Sequence, residues 1–137
     1  MRFVTLSVAA ACAALTFSAG PARAQSWQTN AFSVALKSGE SNELMDLYFV
    51  ANCKSLLVAP PEVTILDGPQ GITASAPEAM VVPRFQQCAK RVKGAKLVLT
   101  AGQIEDQSNT LITLRIRLKT VDGVRERSLS GVIQLFP

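Results

Sequence analysis

The strictest constraint on the fold is an alternation near the C-terminus. Ile112, Leu114, Ile116 and Leu118 alternate with Thr113, Arg115, Arg117 and Lys119. Successive side chains of a strand point to opposite faces, so this segment reads as a strand with one face buried and one in water. Asp122-Gly123 follows, a favoured pair for a two-residue type I′ hairpin turn. Such a turn predicts Val121 opposite Val124, Ile116 opposite Leu129, Ile112 opposite Ile133, Arg117 opposite Ser128 and Lys119 opposite Glu126. Apolar then meets apolar on one face, and polar mostly meets polar on the other. Two residues break the pattern: Arg127 falls opposite Leu118, and Arg125 opposite Thr120. Their position near the tip assigns them to a ribbon end that projects into water.

Period two recurs through most of residues 25–137. Phe32, Val34 and Leu36 mark one strand, Glu43 to Asn52 a long one, and Glu62 to Leu66 another. Ile72 to Ser75 and Ala79 to Val82 are weak strands bounded by Pro77 and Pro83, and Lys96 to Ala101 is a further strand. Proline has no N–H for a ladder, so these prolines belong at strand ends or edges. Arg84 to Val92 reads either as a helical turn or as an extended approach to Cys88. No stretch of ten residues carries a strong 3.6 period. About six to eight strands with turn signals every 8–12 residues predict an all-β, single-domain antiparallel sandwich, immunoglobulin-like, with a small β-barrel as the alternative. Its one tryptophan, Trp27, precedes both cysteines of this segment, so the Cys–Trp–Cys order of antibody domains is absent.

The N-terminus is read separately. Arg2 precedes an uncharged apolar run from Val4 to Ala19, and Ala22-Arg23-Ala24 forms a small-x-small cleavage site before Gln25. This is the pattern of a secretory signal peptide over residues 1–24, with one domain over 25–137. The run is too short for a membrane anchor, and no later segment could span a membrane. Cys12 follows three alanines in a faint lipobox, without the usual leucine. The expected destination is the bacterial periplasm or the medium. Of the 14 basic residues, Arg2 and Arg23 leave with the leader and none of the 10 acids does, so the charge falls from +4 to +2. That balance does not imply a nucleic-acid partner.

Cleavage also removes Cys12 and leaves Cys53 and Cys88. Two cysteines in a small exported domain predict one structural disulfide. With no Cys-x-x-Cys and no histidine in the chain, redox or metal chemistry has little to work with. The missing histidine also removes the commonest general base and every Ser–His or Cys–His nucleophile pair. The adjacent acids Glu105-Asp106 read as a solvated turn, and Gly68 and Gly71 do not open a phosphate-binding helix. The chain is therefore expected to be non-enzymatic and to need no cofactor or metal.

Two basic groups remain as candidate anion or partner sites: Lys90, Arg91, Lys93 and Lys96 after Cys88, and Arg115, Arg117 and Lys119 on one strand face. Their bland alternative is to keep strand faces soluble and edges unpaired. The functional expectation is an exported binding or interaction protein of the envelope, its partner an envelope protein or an anionic envelope component. The alternatives are a binding module for anionic glycan or lipid and an inhibitor of a secreted hydrolase. A ligand module should carry a concave pocket lined by basic residues. An inhibitor should carry a protruding loop, for which Asp67–Gly71 and Gly102–Asn109 are candidates.

Overall fold

The computed structural model describes residues 32–84 and 87–137. The leader, its cleavage site, Trp27 and Phe85 lie outside the described residues. The described chain is all-β: β1 (Phe32–Lys37), β2 (Ser41–Leu47), β3 (Val50–Ala51), β4 (Lys54–Ser55), β5 (Glu62–Asp67), β6 (Ile72–Ser75), β7 (Glu78–Val81), β8 (Val92–Ala101), β9 (Ser108–Thr120) and β10 (Gly123–Phe136). Ten strands exceed the expected six to eight, because the long strand from Glu43 breaks at Tyr48–Phe49 and a two-residue hairpin follows. No helix occurs among the described residues, so Arg84–Val92 carries no helical turn there.

One sheet has the order β1-β10-β9-β5. The other is centred on β8, with β2 on one edge and β6 and β7 together on the other. Pro77 separates β6 from β7, yet its carbonyl still accepts the Lys96 N–H at 3.0 Å. Strand pairing is not wholly antiparallel: β1 runs parallel to β10, Phe32 beside Gly131 through Lys37 beside Phe136. Val34 and Leu36 thereby share the inner face with Ile133 and Leu135, and close contact is possible because residue 131 has no side chain. A Cβ there would stand 2.5 Å from the Phe32 ring.

The two sheets enclose one apolar core. Leu97 and Leu99 of β8, Ile112 and Leu114 of β9, and Ile133 of β10 are fully buried within it, and Leu36, Ile116 and Leu129 join them. The predicted inner face of the ribbon is therefore the observed one. Its register is not. Gly123 pairs with Thr120, Glu126 with Arg117, Ser128 with Arg115, Leu129 with Leu114 and Ile133 with Thr110. Each partner lies two residues from the expected one. The reason is the turn. A type I′ turn at Asp122-Gly123 needs positive φ at both, but only Gly123 has it, at 116°. Val121 and Asp122 form the loop instead. The Thr120 hydroxyl braces it, donating to the Gly123 carbonyl at 2.8 Å and accepting the Asp122 N–H at 3.3 Å. A slip of two leaves every side chain on its own face, so the buried set survives.

Positive φ at both central residues occurs elsewhere, at Asn52 (50°) and Cys53 (59°) between β3 and β4. Cys53 sits in that tight turn, bonded to Cys88 with 5.5 Å between their Cα atoms. The expected disulfide is present, and it ties the β3–β4 hairpin to the loop that precedes β8.

Candidate functional site

A cavity of about 680 Å³ opens between β2 of one sheet and the β9–β10 ribbon of the other. Its apolar lining comes from Leu44, Met45 and Leu47 on β2 and Ile116 and Leu118 on β9. In a regular strand Leu44 and Met45 would face opposite ways. A bulge between Glu43 and Met45 breaks the register with β8, and both side chains pack against the core.

Arg127 reaches the cavity from β10, where it pairs with Ile116 and shares that residue's inner face. It is exposed, on the same strand face along which Leu129 and Ile133 are buried further on. Arg84 comes from the loop after β7, anchored by fully buried Pro83. The Arg84 N–H donates to the Tyr48 hydroxyl at 3.2 Å, and Tyr48 also lines the cavity. The disulfide lies close by in sequence on both sides, five residues after Tyr48 and four after Arg84. It ties the β3–β4 hairpin, which follows Tyr48, to the segment that follows Arg84. Arg125, the next inner position on β10, stacks over the Phe49 ring with 5.2 Å to its centroid.

The remaining charges of the lining are already paired. Lys96 donates to Asp46 at 2.7 Å and lies 3.8 Å from Glu43. The hydrogen bond to Asp46 raises the Lys96 pKa above the ordinary lysine value; the Asp46 and Glu43 charges add to this, while partial desolvation and nearby Arg84 oppose it. Neither Arg84 nor Arg127 has a carboxylate within ion-pair distance among the described residues. The cavity therefore offers two uncommitted guanidinium groups beside an apolar surface.

The two basic groups expected from the sequence do not come together here. Lys96 alone lines the cavity. Lys90 and Arg91 are exposed in the loop before β8. Lys93 borders a smaller depression of about 130 Å³ beside Pro60 and Pro61, and its carbonyl accepts the Ser55 hydroxyl at 2.9 Å. Arg115, Arg117 and Lys119 occupy the outer face of the first sheet. Arg117 is bound to Glu126 and Lys119 to Glu62, each at 3.1 Å, while Arg115 lies between Thr64 and Ser128. That face is a ladder of mixed charge rather than a basic stripe. Glu126 meets Arg117, not Lys119, because of the two-residue slip.

Sequence reasoning missed Arg84, Tyr48 and the bulge at Leu44. For Arg127 and Arg125 the signal was present: both broke the apolar alternation of the ribbon on its core face. Among the described residues no three His, Cys, Asp or Glu are grouped to hold a metal ion. No described helix is long and apolar enough to cross a membrane. Compared with known proteins, the chain matches no family model, no curated protein and no solved structure.

Proposed function

We propose that this chain is an exported, non-enzymatic binding protein of the bacterial envelope, an immunoglobulin-like sandwich that takes an anionic envelope component into the cavity between β2 and the β9–β10 ribbon. The observation that carries the reading is Arg127, exposed at the cavity on the face of β10 that Ile116 shares, with no carboxylate partner among the described residues. Its guanidinium is exposed at the cavity and free of an ion pair among the described residues, so it can hold a bound anion with charge-assisted hydrogen bonds. The size agrees, since small-molecule pockets run from roughly 300 to 1,000 Å³. The disulfide fits an oxidising compartment, as export requires. The absence of histidine favours binding over catalysis.

The inhibitor reading has less support. Ile104 of the loop after β8 is buried in the core, and its N–H donates to the Ser38 hydroxyl at 2.8 Å. Gly68 of the other candidate loop packs so closely on Ile112 that a Cβ would stand 2.9 Å from it. Neither loop is free along its length to enter a partner's cleft.

Native mass spectrometry of protein purified from the periplasm is the test. A co-purifying anion is expected, retained by Arg115→Glu and lost by Arg127→Glu. An anion lost equally from both variants, or from neither, removes the cavity as the site.

A further inference from the structure

We infer that the ligand is an amphipathic anion, a phosphate or carboxylate head on an unbranched alkyl chain, with the head between Arg127 and Arg84 and the chain along Leu44, Met45, Leu47 and Leu118. This rests on the cavity being the binding site, and it names what the site selects. Three features point the same way. The apolar lining comes from two strands on facing sheets, so a wholly polar ion would leave both sides against water. The two guanidinium groups are exposed and have no carboxylate partner among the described residues, so they are open to an anionic head that a neutral chain does not supply. Among the described residues Tyr48 is the one aromatic side chain of the lining, which gives a sugar ring little planar surface there to stack on.

The local chemistry divides the labour. Guanidinium groups bind phosphate and carboxylate oxygens in a two-pronged fashion, and two of them can share one head. The Tyr48 hydroxyl accepts the Arg84 N–H and keeps its own proton to donate to an anionic oxygen. Lys96 offsets one of the two carboxylates Asp46 and Glu43, so one negative charge remains there and the head belongs at the arginines instead. Met45 is unbranched and adapts to a flexible chain.

Calorimetric titration below the micelle concentration tests this with inorganic phosphate, butyl, octyl and dodecyl phosphate, dodecanoate, and the uncharged dodecyl maltoside. Affinity should rise about two- to fourfold per added methylene, the upper figure corresponding to full burial. Arg127→Gln and Arg84→Gln should each weaken octyl phosphate about tenfold, while Arg115→Gln leaves it unchanged. Circular dichroism checks that every variant is folded. Dodecanoate and dodecyl phosphate distinguish a fatty-acid source from a phospholipid-derived one, and binding by either supports the inference. Inorganic phosphate binding as tightly as dodecyl phosphate, with Arg127 still required, overturns the amphipathic ligand and keeps the cavity. Dodecyl maltoside binding as tightly as the anions overturns the head assignment. Octyl phosphate binding untouched by Arg127→Gln overturns both this inference and the site.

Discussion

Strand β10 has two halves with the same alternation and opposite fates. From Leu129 to Leu135 its inner residues are Leu129, Gly131, Ile133 and Leu135, all buried; from Gly123 to Ser128 they are Gly123, Arg125 and Arg127, all exposed. The first half is flanked by β1 and faces the buried row of β8. The described part of β1 does not extend beside the second, which borders an open cavity. A strand face is apolar only where a second layer covers it. Among the described residues the arginines mark the place where coverage stops, and their neighbour Ile116 belongs to both environments.

The comparison breaks most sharply in the closed half. Leu114 is 0% exposed, opposite Leu129. Leu114→Ala should cost about 3–4 kcal/mol by chemical denaturation, the usual range for a buried leucine deleted without collapse of the cavity. A loss below 1 kcal/mol would mean that the two sheets do not close over β9.

The loops around the open half depend on the disulfide. Replacing Cys53 and Cys88 together by Ser should lower stability by about 2–5 kcal/mol. It should also weaken ligand retention more than an equally destabilising core substitution does, because it frees Arg84 from Tyr48. Alkylation of the exported wild type should find no free thiol at either position.

A smaller effect sharpens the register. Gly123 has open space where a Cβ would stand, so any cost there is backbone cost at φ 116°. Gly123→Val should destabilise by roughly 1–2 kcal/mol. Asp122→Gly should change little, since Asp122 is not at positive φ. A clear gain in stability from Asp122→Gly would restore the type I′ turn, in which Asp122 holds a positive φ that glycine adopts more readily.

In the open half the effect should nearly vanish. Arg127 is exposed, so Arg127→Leu should change stability by no more than about 0.5 kcal/mol while abolishing ligand retention. A clear loss of stability would show that Arg127 serves the fold rather than a ligand.

The smallest expected effect is at Lys96. Its pKa is raised by Asp46, so the pair stabilises the folded state below the ordinary lysine range, and that contribution fades as pH rises through the raised value. Melting temperatures of wild type and Lys96→Met should therefore differ slightly near neutrality and converge at strongly alkaline pH. A difference that grows with alkalinity would have the wrong sign.

The fold class was legible because period two is a local property. Ile112, Leu114, Leu129 and Ile133 declare their face whatever they pair with, and the disulfide follows from having only two cysteines after the expected leader. The register was less legible, because a turn one residue earlier presents the same faces and only the backbone at Asp122 separates the two. The cavity was hardly legible at all. The misfit of Arg125 and Arg127 was visible in the chain, but water beyond a hairpin tip explained it equally well.

What the sequence by itself determined is the set of residues that must leave water and the two cysteines available to bridge. Tertiary structure alone decided which strands lie beside which, including the parallel pairing of β1 with β10. It also decided that Glu62 and Glu126 neutralise Lys119 and Arg117. It brought Arg84 and Arg127, 43 positions apart in the chain, to one cavity. Hydrophobic burial is non-directional and reads out as a pattern along the chain, whereas a binding site depends on contacts between distant segments that no local pattern encodes.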